Sequence, residues 1–319
     1  MTLLYTDEKF LLHETGEHPE CSARLEHIHR MLDQSGLKNQ TKQTDVVRAN
    51  DEDLLRVHPQ AHLNSIQKLA DNGGGRIDSD TVVSADSADV AWLAAGSTVD
   101  AVKRVLENED RQALCLVRPP GHHAVPDRAM GFCLLSNIAI AARTALQRHK
   151  LDRVLVVDWD VHHGNGTQDV FYEDEQVSFF SAHRYPFYPG TGRKSETGRG
   201  AGLGTTVNLP LEFGVSRKDY LTAFENALTA AADRCKPDLV LISAGFDAHA
   251  EDPIGSLGLQ TDDFAELTKL VGQVAATHCE GRLISLLEGG YNVERLADCV
   301  QIHLETLLSL DASPLTPSP

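Results

Sequence analysis

The sequence has no excess of positive charge, no long apolar run and no paired-cysteine motif. Its 29 Lys and Arg residues face 46 Asp and Glu, a formal net charge of −17. This balance disfavours direct nucleic acid binding, which requires clustered cations. No apolar stretch approaches the roughly 20 residues of a membrane span, so we expect no membrane anchor. The six cysteines show no Cys-x-x-Cys spacing, which favours reduced core residues over disulfides or a zinc knuckle.

The first residues show no signal-sequence pattern, and no linker pattern interrupts the strand signals. Residues 1–7 have no basic start and no apolar h-region and look like a first strand, so the expected location is the cytoplasm. With 319 residues, 41% of them hydrophobic, the chain is long enough to build one large core. We predict a single domain over residues 1–310 and a flexible C-terminal tail over 311–319. The oligomeric state stays open, and a homo-oligomer is one of the alternatives.

What the sequence does contain is an alternation of apolar runs and helical patterns. Because strands and helices alternate as βαβ units, the sheet should be mainly parallel. The predicted fold class is α/β, a three-layer α/β/α sandwich with about eight strands. The predicted strands lie near residues 2–6, 44–48, 113–117, 153–157, 177–182, 205–209, 238–243 and 282–287. The predicted helices lie near residues 20–35, 51–57, 59–71, 86–107, 133–149, 216–235, 261–280 and 292–310.

Two of these strands run into side chains that bind metal ions. The apolar run at 153–157 leads to Asp160 and His162, and the run at 238–243 leads to Asp247. Ligands bind at the carboxyl edge of open α/β sheets. Two carboxylates and one imidazole leave a divalent ion with open positions for water and substrate, as a catalytic zinc site requires. Fe(II) suits the same donors. An isolated Asp-x-His is more often a capping pair, so the metal hypothesis depends on the other polar clusters.

The strand at 113–117 ends in a Pro-Pro-Gly turn followed by His122 and His123. Adjacent histidines are usually surface residues, but a stiff turn after a buried strand would hold this pair rigidly enough to divide acid and base duties. A neutral imidazole acts as a base when its other nitrogen donates to a fixed acceptor. Asp158 and Asn165 are candidates for that acceptor, with strand-end capping as the alternative.

The last predicted strand leads to Tyr291 through two glycines. A tyrosine hydroxyl there would complement a metal by stabilising an oxyanion; without a metal, Tyr291 would be a packing residue at a helix start. Aromatic residues also stand on flanking loops, at 131–133 and 185–192. Aromatic walls suit an alkyl chain, although ordinary loop packing explains them equally well until the site is accepted.

Several of these motifs, in this order, resemble the zinc-dependent histone deacetylase family, and the resemblance extends over residues 13–300. Asn165 and the motif Ala244-Gly245-Phe246-Asp247 are similar to the class II branch. That branch includes bacterial deacetylase-like amidohydrolases and acetylpolyamine amidohydrolases. The motifs are Gly121-His122-His123, Asp158-x-Asp160-x-His162-His163-Gly164-Asn165-Gly166, Ser243-Ala244-Gly245-Phe246-Asp247 and Glu288-Gly289-Gly290-Tyr291.

The resemblance implies a catalytic zinc bound by Asp160, His162 and Asp247. Tyr291 would donate a hydrogen bond to the substrate carbonyl. Some class II members replace this tyrosine with histidine and deacetylate poorly, so its presence argues for a competent deacetylase.

The resemblance also divides the work of the two histidines. His123 would be the general base, and His122, oriented by Asp158, would stabilise charge or return the proton. Asn165 stands where other branches have an aspartate, so His123 should be held less strongly as imidazolium.

Further positions match the substrate tunnel. Gly131, Phe132 and Tyr188 would line it around the methylenes of an acyl-lysine. Arg24 matches a buried arginine near the foot of the site. Ile254 occupies a position where the polyamine-selective relative has a glutamate, and an apolar residue there is typical of class II protein deacetylases.

The family also binds a structural potassium ion. Its ligands here would be groups around Asp158, Asp160 and His162, together with Ser181.

We therefore predict a metal-dependent amide hydrolase whose substrate is an acetylated lysine side chain or a similar small N-acylated amine. An acetylpolyamine amidohydrolase is the nearest alternative. A non-catalytic acyl-lysine binder would be expected to lack Tyr291, a ligand or a histidine, and none is missing. A binuclear manganese ureohydrolase would need an aspartate pair where Asp247-Ala248-His249 supplies one aspartate.

Overall fold

The computed structural model describes residues 1–311 and is built around one sheet of eight parallel strands, in the order β2-β1-β5-β10-β9-β6-β7-β8. Strands β3 and β4 form a separate antiparallel pair. In chain order the strands are β1 (Leu3–Tyr5), β2 (Lys42–Thr44), β3 (Gly74–Arg76), β4 (Val82–Ser84), β5 (Gln112–Cys115), β6 (Val154–Asp158), β7 (Val177–Arg184), β8 (Thr206–Leu211), β9 (Leu239–Ala244) and β10 (Leu283–Leu287).

Helices cover both faces of the sheet. On one face α1, α9, α8 and α7 pack side by side, and on the other α4 packs against α5. The predicted α/β/α sandwich is therefore confirmed. The α-helices are α1 (Ala23–Ser35), α2 (Asp51–Leu55), α3 (Gln60–Asp71), α4 (Ser87–Leu106), α5 (Asn137–Gln147), α6 (Asn165–Phe171), α7 (Arg217–Cys235), α8 (Thr261–Cys279) and α9 (Val293–Asp311).

The strand predicted at 44–48 is wrong in its position. The chain leaves the sheet at Thr44 and then packs over α4, where the Ala49 N–H donates to the Trp92 carbonyl at 2.9 Å. The backbone of that segment therefore packs against α4 instead of pairing with a strand. The β3–β4 hairpin and the seven-residue helix α6 were not predicted, because both are too short to show a hydrophobic period. Of the predicted tail, residues 312–319 lie outside the described part of the chain.

The strand order explains where distant motifs meet. Strand β5 is separated from β6 in the sheet by β10 and β9, the last two strands in sequence. The chain thus crosses from β5 to β6 past two strand positions, and β9 and β10 occupy these positions later in the sequence. All four strands are parallel, so their carboxyl ends lie at one edge. Such a break in strand order is where open α/β sheets bind ligands.

These four strands lie within the hydrophobic core, together with the helix faces that cover them. Every residue of β5, β6, β9 and β10 is buried, as expected for parallel strands covered on both faces. Five of the six cysteines are buried and all six are free, in agreement with the expectation of reduced thiols. Within residues 1–311, none of the helices combines the length and the hydrophobicity that a membrane span needs.

Candidate active site

Asp160, His162 and Asp247 meet at the carboxyl edge with their ligand atoms turned toward one another. His162 Nδ1 lies 3.0 Å from Asp160 Oδ1 and 3.1 Å from Asp247 Oδ2. All three residues are buried. The other oxygens of the two carboxylates accept backbone N–H groups, Asp247 Oδ1 from Val161 at 2.8 Å and Asp160 Oδ2 from Gly289 at 2.8 Å. These bonds orient each carboxylate so that its other oxygen faces the His162 imidazole.

This donor set fits a divalent metal ion. A tetrahedral zinc with bonds of about 2.0–2.2 Å places its ligand atoms roughly 3.5 Å apart, close to the distances between these donors. The charges agree as well. Although burial opposes it, the hydrogen bonds to Asp160 and Asp247 raise the pKa of His162 to about 10. Burial and the nearby Asp160 raise the pKa of Asp247 to about 7. Two buried carboxylates whose ligand atoms lie within 4.8 Å of each other require a positive charge between them.

Glycines allow the carboxylates to approach the backbone. A Cβ on Gly289 would lie 2.2 Å from Asp247 Oδ2 and 2.5 Å from Asp160 Oδ2. A Cβ on Gly245 would lie 2.1 Å from Asp160 Oδ2. Any larger residue at either position would displace a ligand, so both glycines are required by the geometry of the site.

The two adjacent histidines have different partners. His122 Nδ1 lies 3.0 Å from Asp158 Oδ2, whereas His123 Nδ1 lies 2.7 Å from the amide oxygen of Asn165. Burial lowers the pKa of His122, but the charges of Asp158 and Asp160 outweigh it and raise that pKa well above its usual value. Burial and the neighbouring His122 hold the pKa of His123 well below its usual value. An amide oxygen acceptor leaves the second ring nitrogen of His123 with a free lone pair.

Glu288 is a buried carboxylate that the sequence analysis did not assign. It accepts hydrogen bonds from the Gly121 N–H at 2.7 Å, the His122 N–H at 3.2 Å and the Ser243 hydroxyl at 3.1 Å. Burial raises its pKa to about 7, although the charge of His122 opposes the shift. Glu288 therefore fixes the turn that carries both histidines. The signal in the sequence was an acidic residue directly after a buried strand.

Tyr291 follows β10 and approaches the site beside a buried arginine. Arg24 Nε donates to the Gly290 carbonyl at 2.7 Å, and its guanidinium lies 5.2 Å from the centre of the Tyr291 ring. The ring also meets Phe132 edge-on at 5.7 Å. Among the described residues the Tyr291 hydroxyl has no hydrogen-bond partner. It is therefore available to a ligand.

Three aromatic rings lie beside residues of the predicted site. Tyr188 lies edge-on to His123 at 5.1 Å and to His162 at 6.1 Å. Phe132 reaches the same region from the segment after Gly131, where φ is +56° and a Cβ would lie 2.5 Å from the His123 ring. Phe187, which was predicted only as part of an aromatic loop, stacks on His162 at 5.1 Å. The sequence could not distinguish Phe187 from its neighbour because both rings stand on one loop.

The remaining predicted residues lie around this centre. Ile254 is partly exposed, and its N–H donates to Asp252 Oδ1 at 2.9 Å. Ser181 of β7 is buried and pairs in register with Asp158 of β6, which brings it beside the predicted potassium ligands. The ion itself stays a prediction.

Two acidic residues, Asp78 and Asp80, stand near Tyr188. Burial raises the pKa of Tyr188, and the negative charges of Asp80 and Asp78 add to the shift. The Phe132 N–H donates to Thr81 Oγ1 at 3.3 Å, so the loop between β3 and β4 is attached to the segment that carries Phe132. The region beside Tyr188 consequently carries negative charge on this side.

Comparison with known proteins places these features in a family context. Residues 18–307 match the histone deacetylase domain. Histone deacetylase 14, chloroplastic, of Arabidopsis thaliana is 38% identical over 328 residues, covering 97% of this chain and 77% of that protein. The histone deacetylase-like amidohydrolase of Pseudomonas aeruginosa is 40% identical over 293 residues, covering 92% and 76%. The crystal structure of the HDA15 HD domain superposes with a TM-score of 0.92 at 36% identity, over 100% of this chain and 92% of that one.

Proposed function

Because this chain belongs to the histone deacetylase family, we propose that it removes the acetyl group from an ε-N-acetylated lysine or a similar alkylamine. The observation that carries the proposal is the buried Asp160, His162 and Asp247 cluster with a neutral imidazole beside it. The His123 and His162 rings lie 5.8 Å apart. A hydrolytic site needs a group that accepts a proton next to the position of the metal.

The metal would be held by Asp160, His162 and Asp247. When bound, a zinc ion supplies Lewis-acid chemistry that polarises an amide carbonyl and activates water. Fe²⁺ is the second candidate, since two carboxylates and an imidazole suit both ions.

His123 would accept the proton of the attacking water. Its Nδ1 donates to Asn165, so Nε2 is the basic nitrogen. His122 keeps a proton through its contact with Asp158 and would stabilise the negative charge that develops or protonate the departing amine. A carboxylate partner and an amide partner thus give two adjacent imidazoles different protonation states, as acid and base roles require.

Tyr291 would donate its hydroxyl to the oxygen on which negative charge develops. Phe132 and Tyr188 would border an unbranched alkyl chain that leads to this point. Their ring faces offer apolar contact to methylene groups, which favours a lysine-like side chain over a bulky amide.

We predict that His123→Ala lowers turnover more than His122→Ala. The first variant loses the proton acceptor, whereas the second loses a group that stabilises charge. The measurement is kcat for an acetyl-lysine peptide at saturating metal. The two positions are adjacent and equally buried, so each variant serves as the control for the other. Near-native turnover of the His123 variant, with turnover lost only at His122, would exchange the two roles.

The substrate class is tested at Ile254. An apolar side chain at the rim offers no partner to a second ammonium group and makes its desolvation costly. We therefore expect a higher kcat/KM for a neutral-flanked acetyl-lysine peptide than for N8-acetylspermidine. Ile254→Glu should improve relative use of acetylspermidine by about fivefold, since one exposed ion pair contributes up to about 1 kcal/mol. Ile254→Gln, which is polar without charge, is the matched control. A wild-type preference for acetylspermidine would contradict the prediction.

Acetylpolyamine hydrolysis is the second candidate because Asp78 and Asp80 carry negative charge close to Tyr188. These carboxylates would attract a substrate with a free ammonium group. A wild-type preference for acetylspermidine that disappears in Asp80→Asn would establish this alternative, and a profile unchanged by that variant would exclude a contribution of Asp80.

A further inference from the structure

Asp252 is a buried carboxylate that the proposed chemistry does not use. The residue is 9% exposed and takes part in no ion pair of the described chain. Its four hydrogen bonds all come from backbone N–H groups. Oδ1 accepts from Ile254 and Gly255, both at 2.9 Å. Oδ2 accepts from Tyr291 at 2.7 Å and from Asn292 at 3.3 Å.

The two oxygens of Asp252 therefore join two segments that are far apart in sequence. One is the loop after β9, which contains Ile254 and packs directly on the metal ligand Asp247. The Ser256 N–H donates to the Asp247 carbonyl at 2.7 Å, and a Cβ on Gly255 would lie 2.4 Å from that carbonyl oxygen. The other is the segment after β10 that begins with Tyr291. Asp252 connects the backbone of the metal site to the backbone of the tyrosine.

We propose that Asp252 is a positioning residue that holds the Tyr291 hydroxyl in register with the metal site, an inference that rests on the proposed amide hydrolysis. Two glycines precede Tyr291, and Gly290 has φ +124°, so this backbone has little restraint of its own. No described residue binds the hydroxyl directly. The orientation of the phenol therefore depends on where its backbone is fixed.

Small displacements matter at such a site. A misplacement of about 1 Å can reduce turnover by roughly a hundredfold. The Tyr291 hydroxyl stands at the far end of a long side chain, so a modest rotation of the peptide at Tyr291 moves it by that amount. Hydrogen bonds from an N–H to a carboxylate are about twice as strong as those between neutral groups. A charged acceptor is thus well suited to restrain this peptide.

The test is Asp252→Asn, which keeps the shape of the side chain. An amide presents one acceptor oxygen and one donor nitrogen, so one of the two N–H pairs must face a donor. We expect kcat to fall by about ten- to a hundredfold, with metal content unchanged. Asp252→Ser, which retains a single small acceptor, is the second variant and should show the same loss.

A double-mutant cycle with Tyr291→Phe separates positioning from general damage. In the Phe background there is no hydroxyl to misplace, so Asp252→Asn should lower kcat by no more than about twofold. Its effect on KM, through the loop that carries Ile254, should persist in both backgrounds. Asp238→Asn is the matched control. Asp238 also accepts two backbone N–H groups, from Asp152 at 3.2 Å and Arg153 at 2.9 Å, but before β9 and away from the site.

The cycle is measured on the acyl amide that the wild type hydrolyses best. Poor use of acetyl-lysine would then refute the proposed substrate without affecting the result for Asp252. The positioning role is wrong if the losses in kcat add fully in the double variant, or if Asp252→Asn keeps wild-type kcat. It is also wrong if both Asp252 variants are unfolded at the assay temperature, since the residue would then be structural.

Discussion

Asp247→Ala should give a folded protein without stoichiometric metal and without detectable hydrolysis of an acetyl-lysine peptide. The substitution removes one of three protein donors and leaves His162 with a single carboxylate partner. Loss of groups that merely orient a metal ligand already costs 10–100-fold, so we expect turnover to fall by more than about a hundredfold. Elemental analysis and the peptide assay measure the two effects.

The fold should survive this change. The buried Val161 N–H loses its acceptor, which costs about 1–3 kcal/mol, but the repulsion between two buried carboxylates is relieved at the same time. The control is Asp238→Ala, at the other end of the same strand, β9. That variant should keep its metal and its turnover. Full metal content in folded Asp247→Ala protein would show that Asp247 is not a ligand.

Tyr291→Phe should keep its metal and its affinity for acyl-lysine while turnover falls by roughly a hundredfold or more. This is the magnitude expected when one donor to an oxyanion is lost. The ring contacts with Phe132 and Arg24 do not involve the hydroxyl, so a phenyl ring should occupy the same position. Single-turnover kinetics and binding of the acylated peptide measure the two quantities separately.

The matched control for this variant is Tyr5→Phe. Tyr5 lies on β1, and its hydroxyl donates to Asp100 Oδ2 of α4 at 2.8 Å. This contact lies away from Asp160, His162 and Asp247. Its loss should cost about 1.5–3 kcal/mol of stability, because the acceptor is charged, and leave turnover unchanged. If Tyr291→Phe retains near-native turnover, the hydroxyl does not stabilise the oxyanion and the reaction depends on the metal and the histidines alone.

The sequence by itself determined the fold class and the residue types of the site. Buried parallel strands are continuous apolar runs, so β6, β9 and β10 were visible as runs that end abruptly in polar residues such as Asp160 and Asp247. The same local contrast marked His122 and His123. Each of these signals extends over only a few neighbouring residues, so it can be recognised without knowledge of the tertiary structure.

The tertiary structure decided which side chains face one another. Strand order cannot be derived from local sequence, and here the last two strands enter between β5 and β6. The stacking of Phe187 on His162 and the four N–H groups around Asp252 are visible only in the folded chain. Each depends on contacts between segments distant in the chain, whose formation is governed by packing of the whole sheet. Local propensity contains no term for such contacts, and for this reason the hydrogen-bond partners of Glu288 and Asp252 are identified only once the strands are in place.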